Sequence, residues 1–324
     1  MFFPQQKMLA LPSTPIFFDV GGVGVSFISH AHGDHAVKSA LKVICSSETF
    51  ELAKQRGYVK KSARIINAVE GANITLLDAG HVFGSKQLLI ENGSRFLYTG
   101  DLCLSPSLTS GVAQVTECDE LLIECTFGSP RFKVPSRLEL GQQMAQWTVK
   151  NEKQNAISII GGYSLGKAQE IIAHLNEAGV TPLVPKVIEE VSTCYNSLGH
   201  KLKFISLETQ EGQEQLNRSF TAVMPLSKVN LELGYALTQG YGRSVKLAVC
   251  SGWTVEYVKP GITGFALSDH ADFNELTQFV QDTEAKKVYC TYGFEEEFAR
   301  SLQRKGIDAV SLKKVSKKDN QQLL

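Results

Sequence analysis

Apolar runs along this chain stop abruptly at polar clusters, and the stops recur. Val23 to Ile28 halts at Ser29-His30-Ala31-His32-Gly33-Asp34-His35, Ile74 to Leu77 before His81, and Phe96 to Tyr98 before Asp101. The same grammar returns at Leu121 to Ile123 before Glu124 and at Gly264 to Leu267 before His270. Short apolar runs bounded by polar residues read as buried strands. Side chains on the loops at strand ends have rigid supports, so the pattern predicts five strand ends converging on one site.

Between about Phe132 and Trp253 the pattern changes to strand and helix alternation. It predicts helices over Leu138 to Lys150, Leu165 to Glu177 and Val187 to Leu198, and strands over Ile157 to Ile160, Phe220 to Met224 and Val245 to Cys250. No histidine cluster falls in this stretch, which marks it as an inserted domain. A chain of 324 residues has room for two lobes or for one large domain with an insertion.

Composition adds little. Apolar residues make up 43% and charged residues 20%, as in an ordinary globular protein. Lys plus Arg (33) balances Asp plus Glu (33), so no global basic field announces nucleic acid. Neutrality does not exclude it, because a cleft can be locally basic and divalent metals can meet a phosphate. No apolar run reaches membrane-spanning length and the start has no leader pattern, so the expectation is a protein without a membrane partner. Seven scattered cysteines without a CxxC pair predict buried thiols in a reduced, cytoplasmic protein. Lys313 to Leu324 is polar and lysine-rich and reads as a solvated tail.

The histidine loop carries the chemistry. Four ligands in six residues gain nothing for a core, whereas imidazole and carboxylate together hold catalytic zinc and related metals. Alternate side chains point the same way, so His30 and His32 can grip one ion while Asp34 and His35 turn to a neighbouring site. His81 offers a further ligand, and Asp101 a carboxylate that could bridge two ions. Coordination lowers the pKa of bound water from 15.7 to roughly 7. A leaving group still needs a proton: His270 is the candidate donor and Glu124 the group that orients it. His174 and His200 stand alone and read as surface or capping residues.

The succession His30-x-His32-x-Asp34-His35, His81, Asp101 resembles the metallo-β-lactamase superfamily. Glu124-Cys125-Thr126-Phe127-Gly128 with Ser268-Asp269-His270-Ala271-Asp272 resembles its β-CASP nuclease branch, which includes ribonuclease J, the polyadenylation endonuclease, Artemis and the crosslink-repair nucleases. Gly162-Tyr163-Ser164-Leu165-Gly166-Lys167-Ala168-Gln169 and Ser251-Gly252-Trp253 are similar to short prokaryotic members described as ligase-associated DNA exonucleases or mRNA 3′-end processing factor-like proteins. The likeness runs over about residues 20 to 310.

The resemblance implies an α/β fold: a four-layer αβ/βα sandwich with residues 1–129 and 256–324 forming the metallo-β-lactamase domain and 130–255 an inserted β-CASP domain. It implies two divalent ions, zinc with manganese as the alternative. One would take His30, His32, His81 and Asp101, the other Asp34, His35 and shared Asp101. Catalysis would rest on Asp34, Asp101, Glu124 and His270. Many relatives carry a further histidine ligand where this chain reads Cys290-Thr291-Tyr292-Gly293. Tyr292 ligates only as phenolate, costly near pH 7, so the second site should be weak and filled only with substrate. DNA-directed members also lack that histidine, which tilts the expectation to a DNA exonuclease acting on single-stranded ends. RNA processing, or a weakly catalytic nucleic-acid-binding subunit, are the alternatives, with a ligase or helicase as implied partner.

For the substrate, Ser164, Gly166 and Lys167 precede a helical run and could hold a phosphate at its N-terminus. The competing reading is an N-cap at Ser164 with a glycine turn. Tyr292 is a further substrate-side candidate. Arg131, Lys133 and Arg243 could add positive charge, or be ordinary solvated residues. Tyr163, Phe132 and Trp253 could stack on unpaired bases, with core packing the better expectation for Trp253.

Overall fold

The computed structural model describes residues 2–3, 6–11 and 14–314, so the tail from residue 315 onward lies outside the described residues. By contact the chain divides into two units, one of Met1–Leu104, Gly111–Lys133 and His270–Leu324, the other of Ser105–Ser110 and Val134–Asp269.

The first unit holds two six-stranded sheets. One runs in the order Phe2–Phe3, Met8–Leu9, Ile16–Phe18, Val25–Phe27, Lys42–Ile44, Arg64–Ile65. The other runs Ala309–Ser311, Lys287–Thr291, Glu120–Glu124, Arg95–Tyr98, Lys86–Glu91, Asn73–Asp78, parallel over its first four strands and antiparallel over its last two pairings. Alternation along these strands divides their side chains between two cores. Leu88, Ile90, Phe96, Tyr98 and Leu122 pack against Phe18, Val25, Phe27 and Ile44 of the first sheet, with the Phe18 and Phe96 rings stacked 5.3 Å apart. Leu89, Leu97, Leu121, Ile123 and Val288 face the other way, onto Leu276, Phe279 and Val280 of helix Phe273–Asp282 and Phe298 and Leu302 of helix Glu295–Arg304. This double burial is why the strands read as unbroken apolar runs. Helix Ser47–Gln55, capped by Ser46, buries Leu52 and Ala53. The unit is the αβ/βα sandwich that the resemblance implied.

The second unit is a six-stranded, all-parallel sheet in the order Ile205–Ser206, Leu183–Val184, Thr221–Pro225, Ile157–Gly162, Val245–Cys250, Ile262–Phe265. Helix Arg137–Lys153 precedes strand Ile157–Gly162, and helices Lys167–Glu177, Lys186–Ser197 and Leu231–Tyr241 lie in the connections between the sheet's strands. The boundary differs from the 130–255 span expected from sequence. Ile262–Phe265 pairs in parallel with Val245–Cys250, so the stretch to Asp269 stays with this sheet, and the run read as a strand over Gly264 to Leu267 begins earlier. Among the described residues no helix is long and apolar enough to cross a membrane. All seven cysteines are free thiols and six are buried.

Candidate metal centre

Strand Val25–Phe27 leads into the histidine loop, in which His30 and His35 are buried, His32 is partly buried and Asp34 is exposed. His30, His81 and Asp101 are buried. The ligand atoms of His30, His32, His81 and Asp101 all lie within 4.8 Å of one another. His30 Nε2 stands 2.9 Å from His32 Nδ1, and His81 Nε2 3.2 Å from the same nitrogen. Asp101 Oδ2 lies 3.6 Å from both His30 Nε2 and His81 Nε2. Ligand atoms held about 2.0–2.1 Å from a tetrahedral zinc ion stand about 3.3 Å from one another. The donor set therefore fits a divalent ion of that size. Burial, then the neighbouring histidines His35, His81 and His32, hold the His30 imidazole well below its usual range, the neutral form a metal requires.

The second cluster is more open. His35 Nε2 lies 3.5 Å from Asp101 Oδ2 and 3.8 Å from Asp34 Oδ2, and the Asp34 side chain is 82% exposed. Burial alone would lower the His35 pKa, but Asp101 and Asp19 outweigh it and carry it up to about 9. Tyr292, at the end of strand Lys287–Thr291, sets its ring 5.1 Å from that of His35. Burial, with Asp19 and Asp101 nearby, pushes its phenol far above the ordinary range.

Asp19 is the functional residue that the sequence reading missed. It follows strand Ile16–Phe18 and is buried. Its Oδ1 accepts from the Ser29 backbone N–H at 2.7 Å. Its Oδ2 accepts from the Ser29 hydroxyl at 2.7 Å and the Tyr98 hydroxyl at 2.7 Å, and lies 2.8 Å from His35 Nδ1. A carboxylate on the far nitrogen of a metal-side histidine fixes its tautomer and its aim.

Glu124 ends strand Glu120–Glu124, fully buried. Its Oε1 lies 2.9 Å from His270 Nδ1, and its Oε2 accepts from the Thr126 N–H at 2.7 Å. Burial raises the carboxyl pKa, but the His270 charge and these hydrogen bonds override it, and Glu124 is held below its usual range. Asp101, Glu124 and His270 also bring ligand atoms within 4.8 Å of one another. In Asp101 itself burial prevails and the carboxyl is raised.

The second unit places the remaining candidates. The N-cap of helix Lys167–Glu177 is Gly166, at φ 83°, and not Ser164. The Gly166 N–H donates to Gln169 Oε1 at 2.8 Å, while the Ser164 carbonyl accepts from Gln169 Nε2 at 3.2 Å. Lys167 is buried, its Nζ 3.5 Å from Glu170 and 3.5 Å from Asp269. Its ammonium is turned into the unit and not held out for a ligand. Tyr163 is 46% exposed and Trp253 42%, so the core expectation for Trp253 fails. Phe132, in the first unit, is fully buried. Arg131 lies over it and over Phe294, 5.2 and 4.7 Å from the ring centroids, so Phe132 has no face for a base. His174 is buried, not a surface residue, because Gly141 makes room for its ring.

Comparison with known proteins supplies relatives. The chain is 26% identical over 301 residues to a probable DNA ligase of Opitutus terrae, covering 88% of this chain and 28% of that protein. It is 28% identical over 298 residues to the 5′ exonuclease Apollo of Gallus gallus, covering 84% and 60%. It is 27% identical over 187 residues to an RNase J-like protein of Methanocaldococcus jannaschii, covering 49% and 44%. The chain thus spans less than two thirds of the length of these relatives. A solved structure, a protein of unknown function from Enterococcus faecalis V583, shares the fold with a TM-score of 0.57 at 14% identity, over 82% of this chain and 74% of that one. No family model matches the chain.

Proposed function

We infer that this chain, which belongs to the β-CASP branch of the metallo-β-lactamase superfamily, is a metal-dependent nuclease that hydrolyses phosphodiester bonds at single-stranded ends, with DNA preferred over RNA. One observation carries the reading: the carboxylate of the metal set, Asp101, stands beside a buried carboxylate–histidine pair that can manage a proton. Relatives named as a 5′ exonuclease and as DNA cross-link repair proteins support DNA, and the RNase J-like relative keeps RNA as the alternative.

His30, His32, His81 and Asp101 would hold one ion, zinc or manganese, and Asp34, His35 and shared Asp101 a weaker second. Bound there, a divalent ion supplies an acidified water and a Lewis acid toward the phosphoryl oxygens. The protein's own residues do the rest. Glu124, pinned by Thr126 N–H, would hold the Nδ1–H of His270 and stabilise its imidazolium form, so that Nε2 also carries a proton. The His270 side chain is 18% exposed, so Nε2 can hand a proton to the leaving oxygen as the phosphorus–oxygen bond breaks. The Opitutus relative named as a probable DNA ligase supports a ligase as the partner, and the free thiols support a cytoplasmic setting.

Matched DNA and RNA strands labelled at the 5′ or the 3′ end test sugar preference and polarity together. The wild type should shorten DNA from one end, and Asp101→Asn should lose at least about 100-fold in rate with its fold intact. Full cleavage by Asp101→Asn ends the proposal; faster loss of RNA moves it to the alternative.

A further inference from the structure

Lys7 is the unassigned cation of the metal centre. It sits between strands Phe2–Phe3 and Met8–Leu9, and its carbonyl accepts from the Phe18 N–H at 2.8 Å, which ties it to the strand that ends in Asp19. Its side chain is half-buried, and Nζ lies over the Tyr292 ring, 3.6 Å from the centroid. The His35 ring is 5.1 Å from that of Tyr292. Burial lowers the pKa of the ammonium, and the nearby charges of Asp19, Asp101 and Glu295 offset that only in part. Yet among the described residues none lies within ion-pair or hydrogen-bond distance of it. An ammonium carries three donors and no acceptor, so Lys7 is equipped to donate to an anionic oxygen.

The backbone concentrates strain at the same place. Of the five non-glycine residues with positive φ among the described ones, three are Lys7 (44°), Asp19 (53°) and Tyr292 (62°). Such conformations persist only where the surroundings impose them. Here they hold a lysine head against a tyrosine face at the edge of the weaker metal cluster. That cluster is the more open of the two: the Asp34 side chain is turned to solvent.

We propose that the Lys7 ammonium, seated on the Tyr292 ring, supplies the positive charge that a second ion would otherwise bring, and that it hydrogen-bonds a non-bridging oxygen of the substrate phosphate. Tyr292 is then a platform that aims Lys7 and not a ligand. The inference rests on the nuclease reading for its role in turnover, but its binding arm stands apart from activity. Lys7→Met keeps the length and apolar stem of the side chain and leaves the backbone bond to Phe18 in place. Lys7→Arg keeps the charge.

The full-length protein is loaded with zinc, its metal content is measured after dialysis, and binding of thymidine 5′-monophosphate is followed by calorimetry. Cleavage of a labelled single-stranded DNA is measured in parallel. The expected result is about one ion per chain in wild type and in Lys7→Met, nucleotide affinity weakened about tenfold in Lys7→Met, and kcat/KM lowered by about 100-fold. Lys7→Arg should restore most of both. Should Lys7→Met not fold, Lys7→Gln takes its place. Nucleotide affinity within twofold of wild type overturns the proposal, as does a firmly held second ion in wild type or loss of the first ion in Lys7→Met. A wild type that binds nucleotide through Lys7 but cleaves no strand refutes the nuclease reading and leaves the phosphate contact standing.

Discussion

Asp19→Asn isolates the anchor of the histidine loop with the smallest change in shape. In the wild type four donors converge on this buried carboxylate: the Ser29 N–H on Oδ1, and the Ser29 hydroxyl, the Tyr98 hydroxyl and His35 on Oδ2. An amide has one acceptor oxygen. Placed where Oδ2 lies, it keeps three partners but turns its NH2 toward the Ser29 N–H, leaving a buried donor unpaired at about 1–3 kcal/mol. The three retained bonds lose their charge assistance, roughly 1 kcal/mol each by the difference between charged and neutral hydrogen bonds. The sum is about 4–6 kcal/mol, a large part of the ordinary stability of a domain. Metal affinity should fall about 10- to 100-fold, the usual cost of removing the group behind a histidine ligand. Thermal melts with and without zinc, and chelator competition, read the two effects. If the Asp19→Asn protein binds zinc within threefold of wild type and melts within about two degrees, roughly half a kcal/mol on the usual scaling, Asp19 does not organise the loop.

Two further substitutions test the second unit. Glu170 is buried with its Oε1 2.8 Å from Arg137 Nε and its Oε2 3.5 Å from Lys167 Nζ. Burial raises its carboxyl pKa, but the charges of Arg137 and Lys167 outweigh it and the net shift is downward. Its contribution is therefore complete above the unfolded value of about 4.3 and is lost as pH falls through the folded value. Glu170→Gln should cost about 3–5 kcal/mol at pH 7 by urea unfolding, with the gap to wild type closing below about pH 4; a gap that does not depend on pH would contradict the ion-pair account. Gly141→Ala would set a Cβ 2.1 Å from His174 Nε2. The helix gains about 1 kcal/mol in propensity but the ring must move, so a net loss of about 1–2 kcal/mol is expected. A raised melting temperature would show that His174 has room to spare.

What was legible in the sequence was local. Four ligands in one loop, and polar residues at the ends of apolar runs, needed only the chain's own order to be seen. Asp19 was not legible: a single acidic residue between Phe18 and Val20 looks like a turn, and its meaning depends on Tyr98, 79 positions on. The surroundings of Lys167 were not legible either. Its glycine-rich surroundings read as a phosphate loop, whereas the fold turns its head onto Asp269 and Glu170. Helix Leu231–Tyr241 was hidden by Gly234 and Gly240, yet Gly234 is the residue that lets the helix approach Leu247, whose Cδ1 lies 3.0 Å from where a Cβ would stand.

The centre is built twice over from one device. Asp19 lies 2.8 Å from His35 Nδ1 and Glu124 2.9 Å from His270 Nδ1. In each pair a buried carboxylate occupies one ring nitrogen and leaves Nε2 to work. Exposure then separates the two. The His35 side chain is 3% exposed and its Nε2 lies near Asp101 and Asp34. The His270 side chain, at 18%, is the more exposed of the two. The same carboxylate–histidine pair is suited to metal ligation in the closed setting and to proton transfer in the open one. Asp101 is common to both, 3.5 Å from His35 Nε2 and grouped with Glu124 and His270. On this account the attacking and leaving sides of the reaction are coupled through a single aspartate.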